Sequence, residues 1–204
     1  MSEIIKENDP LVFDKVSECL SGGGVVIYPT ETLYGIGCLA FNREACGRIV
    51  RIKRRSGEKG FIVLVDEEML ERHFHISEEL LRRYSRSRKP LTLILHPKSS
   101  FPREVSGGRD SVAVRISTSS FVSRILSRTR EPITSTSANI SGMDNSNRFA
   151  DIRRNFPSGI DVMVDSGTLP PSTGSSIVNL TTAEPKIIRQ GDLSVSEIEK
   201  ILHG

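Results

Sequence analysis

One short stretch holds a group of cations that could act on an anion: Lys53, Arg54, Arg55 and Lys59, with Arg48 and Arg51 just before them. Cations near a helix end complement its dipole, which accounts for Arg51 and Arg54 but not for the whole group. Like charges packed this closely repel, and a polyphosphate would relieve that repulsion. Upstream, in VVIYPTETLYGIG from Val25, Thr30 and Thr32 can each donate and accept, while ionised Glu31 only accepts. Gly35 and Gly37 permit close backbone approach. The loop suits a small polar ligand, although an ordinary polar connection from strand to helix accounts for it equally well.

Two further places carry similar chemistry. Arg115 interrupts the apolar run Val112-Ala113-Val114-Arg115-Ile116. It sits either at a strand end in solvent or against an anion, and its fork matches a carboxylate. Thr134, Ser135, Thr136, Ser137 and Ser141 crowd hydroxyls around Ala138-Asn139. A Ser/Thr turn with an Asn cap would read the same way. No Ser-His-Asp arrangement, nucleophilic Cys or metal triad is apparent, so catalysis here would rest on positioning and charge neutralisation.

The elements that must hold these groups are short. Residues 25–28 read as a buried strand ended by Pro29. After the Thr-rich loop, Asn42 is placed to cap a helix from Arg43, with Ala45, Cys46, Ile49, Val50 and Ile52 inward. Residues 61–65 then read as a strand, which puts the cationic group on the loop entering it. Strand, loop and helix in that order place reactive groups at a strand's end, where open α/β sheets bind ligands. Residues 11–20 form a helical face, with Asp9-Pro10 as cap and first turn. The triple glycine at 22–24 stops that helix; it precedes a strand and lacks the Lys-Ser/Thr of a phosphate loop. Residues 69–74, 78–84, 121–128 and 149–156 read as helices, and 91–95, 112–116 and 162–165 as strands. Residues 99–110 form a Ser/Gly/Pro loop long enough to move or to act as a lid. Ser194 caps a last helix over 195–202, with Glu197 as capping-box partner.

With 204 residues, 37% hydrophobic and 26% charged, the chain fits one globular domain. No apolar run approaches bilayer length, the first residues lack a signal-peptide core, and three cysteines show no metal spacing. A reduced, cytoplasmic setting and no membrane partner are expected. His73 and His75 read as surface residues. The net charge is +3, yet between 82 and 130 twelve Lys and Arg stand against Glu104 and Asp110, a local excess of +10. That excess could face phosphates, but with aromatics at 5% and no stacking module, scattered solvated side chains are the better reading.

The motif YPTETLYGIG, then Lys53-Arg54-Arg55, then Ser137-Ala138-Asn139 within STSANISG, resembles the Sua5/YrdC/TsaC family, the L-threonylcarbamoyladenylate synthases. The resemblance runs from about Gly22 to Gly191. KPLTLILHP, the VAVR at Arg115 and the Arg-x-Gly ending at Arg189 are similar to family segments as well. Lys59-Gly60 resembles the family's bacterial branch more than the commoner Asn-Pro; departures are Ser56 where a Pro is usual, Ser117-Thr118-Ser119 for a Pro and His, MDNSN around Asn147, and Asn179 for Asp.

The resemblance implies an α/β fold: a twisted open mixed β-sheet flanked by helices around a central cleft. It implies a single YrdC-like domain over 1–204, without the separate C-terminal Sua5 domain of longer members. Lys53 and Arg55 are then the catalytic cations facing the triphosphate. ATP is implied to meet Lys53, Arg55, Lys59, Asn139, Asn147 and Arg189. Threonine is implied to meet Thr30, Thr32, Leu64, Arg115, Ser137 and Ser175. The implied reaction joins L-threonine, bicarbonate and ATP into threonylcarbamoyl-AMP and pyrophosphate, with Mg²⁺ sharing the charge and no certain metal ligand from the protein. Proteins that transfer the group to tRNA, and tRNA itself, are the implied partners. The rival readings are a non-catalytic double-stranded RNA or tRNA-binding module of the same fold, and a carbamoyl-transfer domain of the hydrogenase-maturation type.

Overall fold

The structure is a computed structural model that describes residues 2–55 and 58–204; the Ser56 departure lies outside them. The elements run β1 (Glu3–Lys6), α1 (Val12–Ser21), β2 (Val26–Tyr28), β3 (Gly35–Gly37), α2 (Arg43–Ile52), β4 (Ile62–Val65), α3 (Glu67–His73), α4 (Glu78–Ser87) and β5 (Leu91–Leu95). They continue with α5 (Arg103–Ser106), β6 (Val112–Ile116), α6 (Ser120–Thr129), β7 (Ile133–Ser137), α7 (Phe149–Asn155), β8 (Val162–Asp165), β9 (Ser176–Asn179), β10 (Lys186–Arg189) and α8 (Val195–His203).

Local chemistry sets most helix starts. Asn42, Asp66, Ser77, Ser119 and Ser194 each accept the amide three residues on, and Ser194 with Glu197 completes a capping box. At α1 the cap differs from expectation. Asp9 Oδ1 takes the Leu11 amide at 2.9 Å, so Asp9 closes a turn and the helix begins at Val12 without a side-chain cap.

The strands form one open sheet in the order β1-β8-β2-β3-β7-β4-β6-β5-β9-β10. It is mixed: β4 pairs parallel with β6 and antiparallel with β7. The GIG motif, expected in a loop, is strand β3, hydrogen-bonded antiparallel to β2 and β7. Its glycines serve packing. A Cβ on Gly37 would overlap the Thr134 carbonyl and lie 2.9 Å from Tyr28 Oη, the hydroxyl that donates to that same carbonyl at 2.7 Å.

Residues 99–110, read as a possible lid, are instead strapped down. Phe101 stacks on Phe41 at 4.6 Å and on Phe74 at 5.5 Å, Val105 is buried, and the Val105 carbonyl accepts the Phe61 amide at 2.9 Å. A Cβ on Gly60 would strike that carbonyl, so the strap packs directly behind the loop entering β4. No helix among the described residues is long and apolar enough to cross a membrane.

Gly37→Ala is expected to destabilise the fold by about 3 kcal/mol, because the colliding atoms are backbone and a buried ring. Urea unfolding measures this. A loss below about 1 kcal/mol would mean that β3 and β7 are not packed this tightly.

Candidate active site

In register, Ala113 of β6 lies beside Ile62 of β4, and Ile62 beside Ser135 of β7. This row forms the floor of a cavity of about 410 Å³. The loops at 30–34, 139–145 and 173–175 complete its wall, with Arg189 at the end of β10. Thr30, Thr32, Lys53, Arg55, Lys59, Arg115, Ser137, Asn139, Ser175 and Arg189, separated by as much as most of the chain, all line it.

Two of the expected residues do not line it. Leu64 is fully buried in β4 between Arg115 and Ile133. Asn147 lies outside the cavity wall, its Nδ2 donating to the Leu169 carbonyl at 2.7 Å and its own carbonyl taking the Leu169 amide. The expectation that the site lies beyond the carboxyl ends of strands also needs correction. β7 runs against β4 and β6, so the end of one strand meets the beginnings of two others. Arg115 projects from within its strand.

Lys53 is the C-cap of α2 and is 2% exposed. Its Nζ donates to the Ser137 carbonyl, to the Asn139 carbonyl at 2.6 Å and to Asn139 Oδ1 at 3.3 Å. Burial and then the neighbouring Arg55 charge pull its pKa down to about 7. Three acceptor oxygens around one nitrogen favour the ammonium over the amine. Asn139 Oδ1 also takes the Ser137 hydroxyl at 2.6 Å, and its Nδ2 donates to Met143 O at 2.6 Å. The lysine thereby organises the turn after β7.

Arg54 adopts φ +50°, a left-handed backbone. That reversal leaves Arg54 in solvent while Lys53 and Arg55 both turn into the cavity wall. Arg55 donates to Thr136 Oγ1 at 3.0 Å and to the Gly60 carbonyl at 2.7 Å, and its guanidinium lies 5.4 Å from the Phe61 ring centre. Its buried Nε has no partner among the described residues. Burial lowers its pKa, yet a guanidinium stays charged.

A second group forms around Arg115, which is 3% exposed. Its Nη1 reaches Thr32 Oγ1 at 3.5 Å. Its Nε lies 3.2 Å from Glu31 Oε1, close enough for an ion pair but out of line, so neither atom makes a hydrogen bond. Thr30 shapes the loop: its hydroxyl donates to Leu33 O at 2.6 Å and accepts the Leu33 amide at 3.2 Å. Ser175 is buried, its hydroxyl 2.8 Å from Thr92 Oγ1. Arg189 clasps the Ser175 carbonyl through Nε at 3.1 Å and Nη2 at 2.6 Å. Burial and then the Arg115 charge lower the Arg189 pKa, so two guanidinium groups bear on one space.

Ser135 and Thr136, which stood out in the sequence only as part of a hydroxyl-rich segment without a ligand of their own, also line the cavity, as do Tyr34 and Asn145, which the sequence did not single out. The signal for Ser135 was present: Ser135 and Ser137 are two apart on one strand and so share a face. The lining carries Lys53, Arg55, Lys59, Arg115 and Arg189 and not one carboxylate. No cluster able to hold a metal ion occurs among the described residues, and His73 packs tilted against Phe41, ring centres 5.3 Å apart. The cationic excess over 82–130 disperses: Arg83 binds Glu79 and the Leu202 carbonyl, Lys89 pairs with Glu197, and Arg124 covers Phe13.

Residues 18–191 match the Sua5/YciO/YrdC family, described as "Telomere recombination". A relative from Pyrococcus abyssi named threonylcarbamoyl-AMP synthase is 31% identical over 88% of this chain and 54% of its own length. One of the same name from Hydrogenovibrio crunogenus is 35% identical over 67% of this chain and 77% of its own. The crystal structure of P. abyssi Sua5 complexed with L-threonine is 29% identical and superposes with a TM-score of 0.90, covering 100% of this chain and 61% of that one. The chain thus spans little more than half the length of the P. abyssi relative. The family match spans most of the chain, the relatives are 31–35% identical and the overall fold superposes, so the chain belongs to the Sua5/YciO/YrdC family.

Proposed function

We propose that this chain is a threonylcarbamoyl-AMP synthase. It joins L-threonine, bicarbonate and ATP, releases pyrophosphate, and passes the adenylate to proteins that transfer the threonylcarbamoyl group to tRNA, in the cytoplasm. The single observation that carries this reading is the cavity itself: five cations, a wall of hydroxyls and no carboxylate. Such a lining suits a polyanion beside a small hydroxylated amino acid.

Threonine's amine and bicarbonate first give a carbamate with loss of water. A carbamate oxygen then forms a bond to the α-phosphorus, and the bond to the pyrophosphate oxygen breaks. Arg55 and Lys53 offset charge on the phosphates. Arg115 takes the amino acid's carboxylate, and Thr32, Ser137 and Ser175 supply hydrogen-bonding groups for its polar atoms. Arg189, clasping Ser175 and sensing Arg115, stands where the two substrates meet. The donor set does not fit a resident metal ion, because the lining lacks carboxylates and histidines. Mg²⁺ would arrive bound to the nucleotide, as part of that substrate.

Pyrophosphate release should require ATP, L-threonine and bicarbonate together. Arg55→Ala is expected to lower kcat/KM for ATP by roughly 10²-fold. Valine should be rejected by on the order of 10⁴, since it leaves a buried hydroxyl partner unpaired. Release that ignores threonine, or equal use of valine, refutes the assignment.

Lys53 adds a pH signature. Its pKa of about 7 in the free protein rises when phosphates replace lost solvation. Affinity is therefore full below the free pKa and falls as pH rises through it, until the pKa of the complex is reached. Calorimetry at about pH 8, above the phosphate pKa of ~6, should show uptake of up to about one proton on ATP binding. Lys53→Met should abolish it. Equal uptake in both proteins would assign the proton to another group.

A further inference from the structure

Two of the three residues that stand in place of the family's Pro and His after Arg115, Ser117 and Ser119, have work of their own. Ser119 caps α6, accepting the Val122 amide at 3.4 Å. Ser117 Oγ donates to Glu31 Oε2 at 2.7 Å, joining positions 86 apart in sequence. The other oxygen, Glu31 Oε1, faces Arg115 Nε at 3.2 Å. Glu31 is not part of the cavity wall, and its side chain is only 12% exposed.

We propose that Ser117, Glu31 and Arg115 form a positioning relay. Ser117 fixes the Glu31 carboxylate, and the charge of that carboxylate holds the Nε side of the Arg115 guanidinium so that its Nη edge faces the cavity. The inference rests on the reading of Arg115 as the partner of the amino acid's carboxylate, and adds the residues that aim it.

An arginine side chain has a long, rotatable stem, and a bidentate grip on a carboxylate requires one plane and one edge. The backbone of Arg115 is held by its pairing with Leu64 of β4, and the preceding Val114 is paired to β4 and β5 alike. The next residue is held as well: the Ile116 amide donates to Tyr84 Oη at 2.9 Å. What remains free is rotation of the guanidinium itself. The bond to Thr32 at 3.5 Å is too long to settle it. The Glu31 carboxylate, 3.2 Å from Nε and out of line for a hydrogen bond, draws that side of the guanidinium by charge and leaves the opposite edge for ligand. Charge compensation alone would need only Glu31. The Ser117 hydroxyl contributes no charge; it removes the freedom of the carboxylate to turn away.

Ser117→Ala tests this, with Ser117→Thr as the variant that keeps the hydroxyl. Ser117→Ala is expected to raise the KM for L-threonine about tenfold, the order expected for a lost hydrogen bond to a charged group. The KM for ATP should move by less than about twofold, with the thermal midpoint unchanged and most of the threonine loss restored in Ser117→Thr. An unchanged threonine KM, a matching rise for ATP, or no recovery in Ser117→Thr would overturn the relay. Nitrogen-15 relaxation of the Arg115 Nε–H provides a readout independent of turnover. It should be rigid in the unmodified protein and loosened in Ser117→Ala; equal mobility in both also overturns the relay. If the unmodified protein shows no threonine-dependent turnover, the functional reading falls while relaxation still decides the relay.

Discussion

A buried ammonium joins the two halves of this molecule at its cavity. Lys53 closes α2 and places its Nζ against the Ser137 and Asn139 carbonyls, at the end of β7. β7 is itself the strand that connects β3 on one side of the sheet to β4 on the other. The lysine therefore fixes the turn after β7 relative to the helix that precedes β4. Without those carbonyls a charge in this position would cost several kcal/mol. With them, the lysine's hydrogen bonds are made to neutral groups, so its charge is solvated but not cancelled.

The same device recurs around the cavity. Arg55 spends its donors on Thr136 and the Gly60 carbonyl, and Arg189 on the Ser175 carbonyl. Each guanidinium is held in place by dipoles, and its full charge still acts on the cavity. Arg115 is the exception, with Glu31 beside it. That difference divides the cations by task. An uncompensated group suits a triphosphate, whose several charges can meet several cations. A compensated arginine suits a single carboxylate, which needs orientation more than field strength.

Much of this was legible in the sequence because it was local. Caps at Asn42 and Ser194, and the apolar stripe of α2, depend on neighbours three or four residues away. The site was legible mainly through the three spaced motifs, since no local rule brings Thr32, Ser137 and Arg189 together. What stayed hidden depended on distant partners. β1 buries only Ile5, so it shows no alternation, and its existence depends on β8 more than 150 residues later. Gly35 and Gly37 looked like loop residues because their reason for being glycine is distant: the Ser135 hydroxyl for Gly35, and the Thr134 carbonyl with Tyr28 for Gly37. Asn147 was placed by analogy, in a segment where the local pattern departs, and it serves the Leu169 backbone instead.

The division of tasks extends to the scaffold. On the proposed assignment the amino-acid end of the cavity is built on strands: Arg115 lies within β6, a strand paired to β4 and β5. The end proposed for the nucleotide is built where a helix stops, on Lys53 and on Arg55 beyond a left-handed Arg54. A strand paired on both sides cannot shift without breaking its ladders, whereas a helix end can adjust at lower cost. Attack on a phosphorus needs the carbamate oxygen in line with the departing pyrophosphate, and small errors in that alignment are expensive. Holding the small nucleophile on the rigid part of the fold gives the reaction a fixed reference. The larger, many-charged nucleotide, which offers more contacts to correct its position, can then be aligned to it.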